Sequence, residues 1–229
     1  MARNLAVCQT GRVDDDHLLA SWPLTTGEEV RDQLAAAYGS PDRDYHDLRH
    51  LTEVLARLEE LAGRGAVFDR LPVVLAAWFH DGVYDGERDA EERSAAWAED
   101  ALTALVDPAG DQAVDEAVVA EVVRLVRLTE THRPEDDDAN GCALSDADLA
   151  ILAAPRGRYD EYVAAVRREF AHLDEETFRE GRAQVLLSLA EKEHLFHTAW
   201  AREHWEGPAR ANLARELDEL SRTPASARV

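Results

Sequence analysis

The stretch LPVVLAAWFHDGVYD, residues 71–85, is apolar on nearly every side as far as Phe79 and then ends on two adjacent ionisable side chains, His80 and Asp81, with Gly82 directly behind them. A helix without a polar face belongs at the centre of a core. Ionisable groups at the end of such a helix are costly unless they are paired or bound to a metal. The rest of the chain therefore has to supply the layers that bury residues 71–79 and the partners of His80 and Asp81.

The layers read as helices. In SPDRDYHDLRHLTEVLARLEELAGRG (40–65), Leu48, Leu51, Val54, Leu55, Leu58 and Leu61 recur at helical spacing, and Gly63 and Gly65 close the run. HLLASWPL (17–24) and EEVRDQLAAAYG (28–39) are shorter helices, the second closed by Gly39. DAEERSAAWAEDALTALV (89–106) is stopped by Asp107-Pro108, and the valine-rich VDEAVVAEVVRLVRLTETH (114–132) is long enough for helix rather than strand. RPEDDDANG (133–141) reads as a loop. Helical patterns resume in CALSDADLAILAA (142–154), YDEYVAAVRREFAHL (159–173), DEETFREGRAQVLLSLAEKEHLF (174–196) and GPARANLARELDELS (207–221). No alternating strand pattern, hairpin turn or internal repeat interrupts them. The expectation is an all-α, single-domain helical bundle over 15–221, with a flexible N-terminus at 1–14 and a flexible tail at 222–229. Glu and Arg three or four apart in the last third are expected as surface ion pairs. Arg182 is expected to form a structural ion pair, and Trp78, Trp97, Trp200 and Trp205 to pack.

Charge excludes some classes of partner. The 229 residues carry 25 Lys+Arg against 47 Asp+Glu, a formal net charge of −22. Such a surface repels nucleic-acid backbones and anionic membranes. An anionic substrate would need a local cation in its site. Two cysteines, Cys8 and Cys142, make no disulfide framework. The N-terminal residues lack the apolar core of a signal peptide, and no run approaches a membrane span, so a cytoplasmic protein is expected.

His50, His80, Asp81 and Asp148 are the residues able to carry metal chemistry, because imidazole and carboxylate are the usual ligands of first-row divalent ions. His46 and His50 are four apart, which would put both on one helix face. Asp148 lies in SDADLAIL (145–152), read as the opening turn of a helix. Each also has a plainer reading. A lone helical histidine is more often a packed or surface residue, Asp146 or Asp148 can cap a helix started by Ser145, and His80-Asp81 can be a simple hydrogen-bonded pair. HDLRH (46–50) has the histidine spacing of zinc proteases, but with Asp where the general-base Glu belongs.

The ordered set of a twin-His segment, an apolar helix ending in His-Asp and a later D-x-D turn resembles the HD superfamily of metal-dependent phosphohydrolases. YHDLRHL, AAWFHDGVYD, EERSA, SDADLAIL, FREGRAQVL and ARANLAREL are similar to the bacterial single-domain members, over Leu24 to Leu220. The resemblance implies an HD-type bundle in which His50, His80, Asp81 and Asp148 bind one divalent transition metal ion (Mn, Fe, Co, Ni or Zn). Asp146 would then cap the helix or hydrogen-bond behind the ligands. Members with two metals carry an extra His-Glu pair after the doublet. Here Ala90-Glu91-Glu92 lacks that histidine, which favours one ion. The implied reaction is hydrolysis of a nucleotide or other small phosphoester by metal-activated water, with Asp81 taking the proton and Glu91 or Glu92 orienting the water, unless those two are simply a solvated acidic first turn. His46, Arg49 and His132 would contact substrate. Each has a plainer role: covering a helix start, an exposed arginine, a histidine at a helix C-terminus. Two alternatives stand beside this: a ligand-binding or regulatory module without turnover, and a di-iron oxygenase. A homodimer is compatible with either class.

Overall fold

A computed structural model describes residues 15–106 and 114–222. The ends expected to be flexible (1–14 and, past Arg222, 223–229), Cys8 and the expected Asp107-Pro108 stop lie outside the described residues. Among the described residues there are eleven α-helices and no strand. In chain order they are α1 (Asp15–Ala20), α2 (Glu28–Tyr38), α3 (Leu48–Gly63), α4 (Arg70–Phe79), α5 (Ala90–Thr103), α6 (Glu116–Leu128), α7 (Ala139–Leu149), α8 (Arg156–Glu169), α9 (Glu175–Ala190), α10 (Ala199–His204) and α11 (Glu206–Ser221). A 3-10 turn, Ala150–Ala153, joins α7 to α8. None of these helices is long and apolar enough to cross a membrane.

Helix α4 is the axis of the bundle. Every residue from Pro72 to Phe79 is buried, and α3, α5, α6 and α7 all pack against it. Pro72 falls in the first turn, where its missing N–H has no intrahelical acceptor to lose. Trp78, fully buried, meets the edge of Trp22 at 5.5 Å between centroids, which draws the N-terminal helix onto the core. Helix α3 turns Leu51, Val54, Leu55, Leu58 and Leu61 inward, and α6 does the same with Val119, Val122, Val123, Leu125 and Val126. Each such side chain contributes about 1.5–3 kcal/mol by leaving water.

Three boundaries differ from the sequence expectation, two of them because a different group caps the helix. Helix α3 begins at Leu48, not earlier, because Asp47 is its N-cap and accepts from the backbone N–H of Arg49 and His50. His46 is therefore off the helix. Helix α5 ends at Thr103 rather than running to 106. The acidic loop ends at Asp138, whose carboxylate accepts from Gly141 N–H and starts α7 at Ala139. Asp146 and Asp148 consequently sit in the last turns of a buried helix rather than on its opening turn. Helix α10, short and polar, has no clear periodic signature.

Candidate metal centre

The Asp47 cap fixes the first turn of α3 and places His50 there, 3% exposed. His80 follows the last residue of α4, its N–H donated to Ala76 at 2.9 Å, and Gly82 N–H closes the turn on Phe79 carbonyl at 2.9 Å. A Cβ on Gly82 would lie 3.1 Å from that carbonyl and 3.1 Å from Trp97, closer than side chains ordinarily approach, so glycine suits the tight turn. Arg43 finishes the helix end. Its Nη1 donates to Asp81 carbonyl at 2.6 Å and its Nη2 to Gly82 carbonyl at 2.8 Å, taking up oxygens that the helix leaves unpaired. Tyr38 on α2 accepts the N–H of Asp81 at 3.1 Å.

These elements bring four side-chain atoms together. His50 Nε2 lies 3.1 Å from His80 Nε2, 3.3 Å from Asp81 Oδ2 and 3.2 Å from Asp148 Oδ1. His80 Nε2 lies 3.2 Å from Asp81 Oδ2 and 3.7 Å from Asp148 Oδ1. Ligands about 2.1 Å from an ion, at tetrahedral to octahedral angles, lie about 3.0–3.4 Å from one another. Four of these edges, 3.1–3.3 Å, fall in that range, His80–Asp148 at 3.7 Å lies outside it, and His50, His80 and Asp148 are the group whose donor atoms all lie within 4.8 Å of one another. His80 Nδ1 is 2.7 Å from the carbonyl of Ala77, which can only accept, so Nδ1 carries a proton and Nε2 of the neutral ring presents a lone pair inward. Two ring nitrogens 3.1 Å apart with carboxylate oxygens on both suit a shared cation, and the donor set of two imidazoles and two carboxylates fits a divalent transition metal.

The electrostatics of the quartet without an ion follow from its geometry. Burial opposes charge on His50, but hydrogen bonds to Asp148 and Asp81 outweigh it and raise the ring to about 9. His80, also working against burial, is raised well above its ordinary value by Asp81. Burial pushes both carboxyls up, yet His80 and the adjoining histidine hydrogen bonds hold Asp81 and Asp148 well below the carboxylate range. Protons on the imidazoles thus stand where an ion's charge would stand.

A second set of groups surrounds the quartet. His132 follows the end of α6 in a left-handed backbone conformation (φ 49°), with Nε2 3.4 Å from Asp148 Oδ2 and Nδ1 3.3 Å from Ser145 Oγ. Burial lowers this ring to about 4, so it is neutral at pH 7. His46 stacks on Tyr84 at 3.9 Å, and its Nδ1 is 2.8 Å from Glu169 Oε2. Glu169 also accepts the backbone N–H groups of Asp44, Tyr45 and His46, so this carboxylate fixes both the loop and the imidazole. A cavity of about 610 Å³, lined by Asp148, His132, His46, Tyr84, Glu91 and Lys192 among others, opens onto the quartet through Asp148.

Two expected residues lie elsewhere. Arg49 is on the outer surface, paired with Glu53 and Glu161, and does not line this cavity. Asp146 turns away from the quartet, accepting the N–H of His197 at 2.7 Å and of Thr198 at 2.7 Å. Burial raises its carboxyl to about 6 despite those bonds. Glu92, next to Glu91, is on the surface with Arg127. Arg182 forms its ion pair, with Glu216 at 2.8 Å, both nearly buried.

Sequence reasoning missed Arg43, Tyr38, Glu169 and Lys192. Only Lys192 left a compositional trace: it is the single lysine of the chain. Its Nζ donates to the carbonyls of Thr131 at 2.9 Å and His132 at 2.7 Å, and burial, with Arg133 nearby, lowers it to about 8. No protein-family model, curated protein or solved structure matches this chain.

Proposed function

We propose that the chain is an HD-type, metal-dependent phosphohydrolase that acts on a nucleotide or other small phosphoester. The observation that carries the reading is the group His50, His80 and Asp148, whose donor atoms lie within 4.8 Å of one another, with Asp81 Oδ2 3.3 Å from His50 Nε2 and 3.2 Å from His80 Nε2, beside a cavity large enough for such a molecule. A divalent ion held by these four residues supplies a Lewis acid for a phosphoryl oxygen and a lowered pKa for water.

The chain's own groups account for the rest. Asp81, on both imidazoles, and Glu91, on the cavity wall, are the carboxylates available to take a proton from the attacking water. His46, turned by Glu169 so that Nδ1 faces the carboxylate, offers Nε2 for a proton at the departing oxygen. His132 is uncharged and hydrogen-bonds near Asp148 without adding to the positive charge there. The test is to strip the protein of metal, restore single divalent ions and measure both stoichiometry and turnover of a phosphoester panel. One ion per chain with metal-dependent hydrolysis is the expected result. Two irons would indicate the oxygenase, and no bound ion with no turnover would indicate a binding module.

A further inference from the structure

Next to the candidate metal centre lies a second cavity, of about 730 Å³, between the turn after α6 and the segment joining α9 to α10. It shares His132, Arg133 and Lys192 with the cavity over the quartet, so the two adjoin. His132 is the hinge between them: its ring contacts Asp148, and its carbonyl accepts from Lys192.

The wall of the second cavity is built, not incidental. Arg210 donates to the carbonyls of Ala190, Lys192 and Glu193, Glu206 accepts the N–H groups of Leu195 and Phe196, and Asp146 accepts those of His197 and Thr198. These three side chains fix the segment that carries Lys192. The two carbonyl bonds use two of the three N–H groups of Lys192 and leave one. Among the described residues, Lys192, Arg133 and Arg202 have no carboxylate ion-pair partner, and Arg202 donates to His194 instead. The carboxylates lining the cavity, Asp136, Glu191 and Glu193, are all exposed and leave the half-buried Lys192 unpaired. In a chain of net charge −22, a cavity whose three cations, Lys192, Arg133 and Arg202, match its three carboxylates in number is less negative than the chain as a whole.

We propose that this second cavity binds a phosphate group through Lys192 and Arg133, and that the substrate is a small molecule with at least two phosphate groups, one at the quartet and one here. This rests on the hydrolase reading for the first phosphate only; the anion pocket itself does not depend on it.

The probes are inorganic tripolyphosphate and orthophosphate, titrated by calorimetry into the full chain, metal-loaded and chelator-treated. Tripolyphosphate is expected to bind the metal-loaded protein at least tenfold more tightly than orthophosphate. Lys192→Gln is expected to remove that gap while leaving metal stoichiometry unchanged, and Lys192→Arg to keep most of it. If no ion binds the protein at all, the hydrolase reading fails. Loss of tripolyphosphate binding to the chelated protein in Lys192→Gln would still support the pocket. Equal tripolyphosphate affinity in wild type, Lys192→Gln and Arg133→Gln, in both forms of the protein, overturns the proposal.

Discussion

Raising pH should weaken the metal-free protein and strengthen its hold on metal. His50 titrates near 6.5 when unfolded and at about 9 in the folded, metal-free chain. The proton is thus held more tightly by the native state, and its stabilisation is fully present below about pH 6.5 and lost as pH rises to about 9. That displacement corresponds to about 3 kcal/mol. For a chain of this size, about 3 kcal/mol is about 6–12 °C in melting temperature. The depressed carboxyls of Asp81 and Asp148 act in the opposite sense, so their stabilisation is present above the ordinary carboxylate range and lost in acid. A divalent ion competes with the imidazole protons, so its apparent affinity should rise about tenfold per pH unit for each proton displaced. Thermal melts followed by circular dichroism, with chelator and with saturating metal, from pH 6 to 9.5, read both effects. The chelated protein should lose melting temperature across this range, the metal-induced gain should grow, and His50→Gln should flatten both trends. A metal-induced gain that does not change with pH would refute the argument that protons and ion share one site.

Three further outcomes follow from individual contacts. Glu169→Gln would present an N–H to His46 Nδ1 and reverse the ring's tautomer; phosphoester turnover should fall about 10–100-fold with metal stoichiometry unchanged, measured by steady-state kinetics and elemental analysis. Arg182→Met leaves Glu216 buried without its cation (3% exposed) and should cost about 3–5 kcal/mol in urea unfolding, with much of that recovered by adding Glu216→Leu. His132→Gly removes the ring from Asp148 but suits the left-handed backbone; it should leave stability within about 1 kcal/mol of wild type while lowering turnover, and a large loss of stability would show that the ring's packing, not its contact with Asp148, matters most.

Much of this arrangement is legible in the residues themselves. The apolar run to Phe79 can be satisfied only at the centre of a core, and the ionisable pair after it demands partners, so α4 and the need for such partners follow from elementary costs of burial, while His50 and Asp148 as those partners come from the resemblance. Helix starts are less legible where several caps compete. Asp146 resembles a cap, but four acids precede it at 135–138, and the apolar surface of 139–149 draws the helix back to Asp138. Likewise Asp47, not His46, takes the N-terminal position of α3. Arg49 has the right charge and neighbourhood for substrate, yet its position on α3 points it outward to Glu53 and Glu161. The Glu169–His46 contact and the Arg43 clamp join residues far apart in the chain, with no local pattern to announce them.

Asp146 and Asp148 are two positions apart on α7, so their side chains leave the helix on nearly opposite sides. One grips the backbone of His197 and Thr198, and the other completes the quartet. Rolling α7 far enough to withdraw Asp148 would tear two short hydrogen bonds from the far side. The two bonds hold the helix against rotation, so the position of Asp148 is fixed from the opposite side of α7.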